Sequence, residues 1–406
     1  LISIESCRRS LEESWVIMLR MNPNVPLYLD YSATTPLDPR VLRAMLPFFH
    51  EEFGNPSSIH RYGQRAEAAV ESSREVCSAL LNCHPSEIVF TSCGSESDNL
   101  ALRGVALAAR HLRHANHILI SPVEHHAVSH TAEQLHSIFG FEVELLPVDQ
   151  YGMVDPQVVA SLIRSDTALV SIIYANNEIG TINPIPEIGA VCQAAGVIFH
   201  SDAVQAGAYL PLDVQRLQVD LLSIGAHKFY GPKGVGALYV RHGTPLLPTQ
   251  PGGGQEFGLR AGTHNVPYII GLAEALRLIQ SEKEDHLARL TPMRDRLIGH
   301  VLEEIPESKL TGHPIQRLPN HASFVFDNID GNMLLMQLDL AGFACSSGSA
   351  CKSGNPEPSG VLTAIGLPRS WALGSLRVTL GVHTTPSHID ALCAVLPTIV
   401  QKVRSG

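Results

Sequence analysis

The chain has 406 residues, 45% of them hydrophobic, which is ample for a large buried core and roughly two domains. With 39 acidic against 29 basic residues the net charge is −10, and there is no basic stripe, so nucleic acid is not an expected partner. No apolar run approaches the ~20 residues of a membrane span, and eight cysteines without framework spacing argue for a reducing, cytoplasmic setting rather than a disulfide scaffold.

The opening stretch, LISIESCRRSLEESWVIMLRM, resembles neither a signal peptide nor a transit peptide. WVIML is short, and Glu5, Glu12 and Glu13 are acidic where targeting segments avoid acid. Residues 1–21 read as an N-terminal extension, with Met21 a plausible alternative start. From about residue 85 to 240, short β-rich runs alternate with helix-like stretches. The runs are EIVF (87–90), HILIS (117–121), VELLPV (143–148), ALVSIIY (168–174), VIFHSD (197–202) and DLLSIG (220–225). Fully apolar strands alternating with helices predict a mostly parallel sheet covered on both faces. In such sheets ligands bind in the loops that follow the carboxyl ends of the strands.

Those loops are polar in a patterned way. TSCGSESDN opens a helix at Gly94 and Ser95, with Glu96 and Asp98 in its first turn. Unpaired N–H groups at such a start can cradle a phosphate, although an ordinary N-cap looks the same in sequence. His111, His114 and His117 recur every third residue and read as a solvated loop. Without CxxC or HExxH spacing, zinc is not expected. His125 and His126 follow one strand, Asn176, Asn177 and Glu178 another, and Asp202 with Gln205 a third.

In SIGAHKFYGPKGVGALYV, Lys228 stands between two strands, just before a glycine-rich turn. There it is either a solvated charge ending a strand or a desolvated amine able to trap a carbonyl. Four strand ends offering His, Asn, Asp/Gln and Lys describe a site. With a phosphate cradle, that set suits pyridoxal phosphate, whose ring nitrogen is held by a carboxylate and whose aldehyde is held by a lysine. Beyond about residue 264, the pattern YIIGLAEALRLIQSEKEDHLARLTPMRDRLIGHVLEEI reads as one long helix leading to a smaller α+β segment.

From YLDYSATTP (28–36) through GNPSSIHRYG, TSCGSESDN, EHHAV, NNEIG, SDAVQ, AHKFYGPKG and RAGT to SSGSAC (346–351) and SLRVTLG (375–381), the chain resembles a NifS/IscS-like cysteine desulfurase. That family lies within the class V aminotransferase group of fold type I pyridoxal-phosphate enzymes. The resemblance implies a large domain with a mostly parallel seven-stranded sheet over 36–283, and a small domain made of 22–35 and 284–406. It also implies pyridoxal 5′-phosphate as cofactor, L-cysteine as substrate, a homodimer, and sulfur-acceptor proteins such as an iron–sulfur scaffold or a thiolation protein as partners.

Carried over residue by residue, Lys228 is the Schiff-base lysine, His125 stacks on the ring, Asp202 pairs with the ring nitrogen and Gln205 contacts the ring hydroxyl. Gly94, Ser95 and His227 hold the phosphate, joined by Thr263 from the second subunit. Asn177 and Arg377 bind the substrate carboxylate, and a guanidinium fork suits that task. Cys351 is the nucleophile that receives sulfur as a persulfide, with Lys228 or His125 moving the α-proton. No metal site is implied beyond a transient iron–sulfur contact at Cys351. A selenocysteine lyase or an aminotransferase on the same scaffold, or a non-catalytic scaffold protein, is the alternative.

The chain departs from the family pattern at Cys93, Gly225, Gln255 and Phe257, where glycine, serine, histidine and a basic residue are usual. These departures bear on cofactor affinity. Cys345 follows DLAGFA, whose apolar residues suggest a strand, so its thiol is expected to be buried and inert. Cys351 lies among Gly, Ser and Pro with Lys352 beside it, which favours a thiolate.

Overall fold

The computed structural model describes residues 26–348 and 357–405. The elements used below begin with β1 (Leu27–Tyr28), α1 (Pro39–Met45), α2 (Arg61–Leu81), β2 (Ile88–Thr91), α3 (Gly94–Arg113), β3 (His117–Ile120), α4 (His126–Ser137) and β4 (Glu142–Leu145). Next come α5 (Pro156–Leu162), β5 (Thr167–Ser171), α6 (Ile185–Ala195), β6 (Ile198–Asp202), β7 (Leu221–Gly225) and β8 (Gly236–Val240). After them lie α7 (Val266–Ser281), α8 (Lys283–Glu304), β9 (Ser308–Leu310), β10 (His321–Phe326), α9 (Gly331–Leu340), β11 (Phe343–Ala344), β12 (Ser375–Thr379) and α10 (Pro386–Ser405).

A seven-stranded sheet has the order β2-β8-β7-β6-β5-β3-β4. The pairs β3–β4, β3–β5, β5–β6 and β6–β7 are parallel, and β8 runs antiparallel to both β7 and β2. Successive residues of a strand point to opposite faces, and here both faces are dry. Leu119, Val170 and Leu222 enter one apolar core, while their neighbours Ile118, Leu169 and Leu221 enter a second on the other side. Only the edge strand β4 is charged and partly exposed, as an unpaired edge requires. The sheet is the one the resemblance implies.

The C-terminal part holds an antiparallel sheet, β12-β10-β9, and the parallel pair β1–β11. Leu29 N donates to Ala344 O at 2.9 Å, and Thr379 N donates to Leu29 O at 2.8 Å. The segment after β1 is therefore tied to the C-terminal strands before it enters the site. No helix among the described residues is long and apolar enough to cross a membrane.

Two readings are corrected. The long helix after residue 264 is two helices, because Glu282 leaves helical geometry at φ −103°, ψ 6° and its carboxylate turns to pair with Arg40 of α1. His117 is not in a solvated loop. It is fully buried as the first residue of β3, with Nδ1 2.9 Å from Thr167 Oγ1 and Nε2 3.2 Å from Glu144 Oε2. Both ring nitrogens find partners there, which is what makes a buried histidine tolerable.

Candidate active site

β7 ends at Gly225, and Ala226–Lys228 form a single tight turn before the chain reverses into β8. The reversal uses Gly234 at φ +88°, a conformation that favours glycine. Lys228 Nζ donates to Ser32 O at 2.6 Å and to Ala33 O at 2.7 Å. Burial, with the Arg377 charge nearby, lowers its pKa to about 8, against the opposing pull of Asp30 and Asp202. Gln205 Nε2 donates to the same Ser32 carbonyl at 2.8 Å, so amine and amide converge on one atom. His227 Nδ1 lies 3.2 Å from Thr34 Oγ1, and burial beside Lys228 pushes its pKa down to about 4. It is a neutral, hydrogen-bonding imidazole.

Asp202 closes β6 and is buried, with Oδ1 accepting from Val204 N at 2.8 Å. His125 caps α4 through Nδ1, which accepts from Ala127 N at 3.1 Å, and its ring is exposed. A ligand-type atom of His125 lies within 4.8 Å of one on Asp202 and one on Asp98. Asp98 is not a first-turn helix charge: it points into the core, and its Oδ1 has no hydrogen-bond partner among the described residues. Burial and the neighbouring Asp202 push its carboxyl well up. Glu124 is pushed up to about 8 by burial, although Ser121 Oγ and Ile173 N donate to it at 2.6 and 2.7 Å. His200 falls to about 3 by burial, held between Ser171 Oγ at 2.9 Å and Ser223 Oγ at 3.0 Å. Burial raises the Asp202 carboxyl too, opposed by His125, the Val204 N–H and Lys228, while Asp98 has His200 Nε2 3.7 Å from its Oδ1.

The start of α3 is open for an anion. Cys93 precedes it in extended geometry without a side-chain cap, and Ser95 is exposed. A Cβ on Gly94 would stand 2.5 Å from Val204 Cγ2, so any larger residue there would have to displace Val204. A Cβ on Gly225 would meet Gly94 N at 3.5 Å, an ordinary contact, so this position has room for the serine usual in the family. Glu96 accepts from Ser92 N at 2.7 Å and from Arg260 Nε at 2.8 Å.

On the other side, Arg377 of β12 is buried. Its Nη1 donates to Asn177 O at 3.0 Å and its Nη2 to Asp30 Oδ1 at 2.8 Å, while Nε has no partner among the described residues. Asn177 thus meets Arg377 through its backbone. Asp30, Glu124 and Ser32 were not singled out in the sequence. Asp30 and Ser32 lie in YLDYSATTP and Glu124 in EHHAV, both stretches that carried the resemblance.

Thr263 is exposed in the single chain. Its loop is held by Gln255 Oε1, which accepts from Gly262 N at 3.1 Å, and by the buried Glu256. Glu256 accepts from His264 at 2.7 Å, Arg74 at 2.9 Å and Phe90 N at 2.7 Å. Phe257 lies with its ring centroid 5.0 Å from the Arg74 guanidinium carbon. The departures at 255 and 257 therefore act on the loop base. Cys345 is half-buried, and burial beside Asp30 pushes its thiol up to about 12. Cys351 lies outside the described residues.

The geometry brings a low-pKa amine, a buried carboxylate, an exposed imidazole and an open helix start to adjoining loops, with a buried guanidinium across from them. The match to known proteins runs the same length. A cysteine desulfurase IscS of Methanosarcina thermophila is 48% identical over 382 residues, 94% of each chain. One from Dictyoglomus turgidum is 47% identical over 379 residues, 93% of this chain and 95% of its own. Among solved structures, a NifS-like protein superposes with TM-score 0.86 at 36% identity, covering 93% of this chain and 100% of that one. A structure described as SspA in complex with cysteine gives 0.76 at 36% identity, covering 87% and 98%. The class-V aminotransferase profile spans residues 27–392, from β1 into the last helix, and the chain belongs to that family.

Proposed function

We propose that this protein is a pyridoxal-phosphate-dependent cysteine desulfurase, which releases L-alanine from L-cysteine and takes the sulfur onto Cys351. The observation that carries the reading is the buried Lys228 amine, held by Ser32 O at 2.6 Å and Ala33 O at 2.7 Å, within reach of the Asp202 charge and lowered to about 8. The residues fit the cofactor. Gly94, Ser95 and His227 offer donors for a phosphate, joined by Thr263 of a second copy. Asp202 would supply the buried acceptor for a ring N–H, His125 a flat face for stacking, and Gln205 an amide donor for the ring hydroxyl.

When bound, the cofactor withdraws electrons from the substrate α-carbon and opens the cysteine sulfur to attack. Lys228 or His125 would carry the proton at that carbon. Arg377 binds the substrate carboxylate through its fork, with Asn177 beside it, and Asp30 holds the guanidinium in place. Cys351 as thiolate takes the sulfur, because the thiolate is the nucleophile. The sulfur then passes to an acceptor protein, such as an iron–sulfur scaffold or a thiolation protein, in the cytoplasm.

The large domain over 36–283 carries the cofactor residues, and 22–35 with 284–406 carries Arg377 and Cys351. A homodimer completes the site. Supporting it are the exposed Thr263 and an apolar patch of Phe49, Phe53, Ile59 and Tyr62, in which Phe53 and Tyr62 stack at 5.4 Å.

The test is the product pair. Protein loaded with cofactor and given L-cysteine and a thiol reductant is expected to form alanine and sulfide in equal amounts. A keto-acid product would replace this reading with transamination, and a strong preference for selenocysteine would make it a selenocysteine lyase. Arg377→Ala is expected to lower kcat/KM by roughly tenfold to several hundredfold, chiefly through KM, since a charge-assisted carboxylate pair is lost. An unchanged KM places the substrate carboxylate elsewhere. Thr263→Ala is expected to weaken cofactor retention in a protein that stays dimeric, as measured by dialysis and light scattering. A monomeric, fully active enzyme contradicts the shared site.

A further inference from the structure

Glu178 has no part in the chemistry above, yet its carboxylate sits where the two ends of the cysteine-bearing segment come together. The turn that presents it is built by buried Asn176, whose Oδ1 accepts from Glu178 N at 2.8 Å and Ile179 N at 2.9 Å while its Nδ2 donates to Val123 O at 2.7 Å. Gly180, at φ +78°, closes the turn against His321, which a Cβ would approach to 2.7 Å. Residue 177 therefore gives its carbonyl to Arg377, and residue 178 is held rigidly beside it.

The Glu178 side chain reaches both stems. Ser359 Oγ donates to Glu178 Oε2, and the same hydroxyl accepts from Val361 N at 3.1 Å and Leu362 N at 3.4 Å, capping the short helix Gly360–Ala364. From the other stem, a Cβ on Gly348 would lie 2.5 Å from Glu178 Oε2 and 3.4 Å from Ser359 Cβ. The backbone at Gly348 therefore packs closely on the carboxylate, and a side chain there would have to displace it. Two residues earlier, Ser346 exchanges backbone hydrogen bonds with Arg377, at 3.2 and 2.7 Å. Burial raises the Glu178 carboxyl, opposed by the Ser359 hydroxyl and the Arg377 charge. The carboxylate thus joins the stem before Cys351, the stem after it and the turn bearing Asn177.

We propose that Glu178 is a positioning residue that clamps Gly348 and Ser359 together beside the Arg377 site, so that the segment carrying Cys351 departs from fixed points next to bound substrate. The proposal rests on the desulfurase reading. Tying the ends of a loop removes chain entropy and raises the effective concentration of a group on it, and a misplacement of about 1 Å can cost ~100-fold in rate. Its requirement is an oxygen acceptor for Ser359 rather than a negative charge.

The test uses the full-length, cofactor-loaded enzyme. Glu178→Ala is expected to lower kcat for alanine and sulfide formation by roughly 10- to 100-fold, with KM for cysteine and the cofactor's visible band unchanged. Glu178→Gln, whose amide oxygen still accepts from Ser359, is expected to restore most of that rate. Ser359→Ala is expected to reproduce the Glu178→Ala loss, and the double variant to be no worse than either single one, because both remove one contact.

A second readout needs no turnover: tryptic cleavage after Lys352 is expected to accelerate in Glu178→Ala and Ser359→Ala but not in Glu178→Gln. Loss of the same size in Glu178→Gln, additive losses in the double variant, a change confined to KM, or unaltered cleavage would overturn the clamp. If wild-type protein makes no alanine from cysteine, the desulfurase reading fails by itself, and the cleavage pattern still decides whether the carboxylate anchors both stems. Ser359→Ala supplies the decision if Glu178→Ala does not fold.

Discussion

Cys351→Ser is expected to keep the bound cofactor and its visible band but release no sulfide, whereas Cys345→Ser is expected to retain most of its activity. The two thiols are six residues apart, and an extended chain advances ~3.3–3.6 Å per residue, so their sulfurs can be separated by up to about 20 Å. They cannot both be expected to reach one substrate sulfur in a single conformation. Cys345 follows β11 with its thiol pushed up to about 12 by burial and the nearby Asp30, so near neutral pH almost none of it is thiolate. Lys352 follows Cys351 in the chain, which is the basis for expecting the thiolate there. The deciding measurement is radiolabelled sulfur from cysteine, trapped as a persulfide and mapped by peptide. Label on Cys345 in the wild type, or normal turnover by Cys351→Ser, overturns the assignment.

Lys228→Ala is expected to abolish turnover, by roughly 10³-fold or more, because in the proposed mechanism this amine both holds the cofactor and moves a proton. Borohydride treatment of the wild type should bleach the visible band and fix the cofactor on Lys228. Reduced label on a different lysine sinks the proposal. The lowered pKa has a signature of its own in cofactor-free protein. The amine is protonated below about 8 and free above it, so acylation of Lys228 should rise with pH and level off above that value. An unperturbed lysine would keep rising to about 10.4. The cause is burial, with Arg377 adding to it, so Arg377→Ala should move the plateau upward.

The strand–helix alternation, the parallel sheet and the position of the polar residues at strand ends were all legible from the one-dimensional pattern. Period and apolar content are local properties, and buried strands need little else to declare themselves. The motifs named the candidate residues, and the structure puts Lys228 and His125 in turns after strands, Asp202 at the end of β6 and Arg377 within β12. What local patterns could not resolve are partners far apart in the chain. His117, one of three evenly spaced histidines, is buried because Thr167 and Glu144 meet its ring. The helical pattern after residue 264 breaks where Glu282 finds Arg40, 242 residues away.

The amino-acid sequence by itself marked the residues proposed to carry the chemistry, since residue type and strand-end position are written locally. The tertiary structure alone decided their chemical state and their supports. Burial lowers the Lys228 pKa, burial with Asp202 beside it pushes the Asp98 carboxyl well up, and Arg377 is held by Asp30 from the far end of the chain. Glu178 joins two stems separated from it by more than 160 residues. Desolvation and charge pairing depend on distances in space, and no spacing along the chain encodes them.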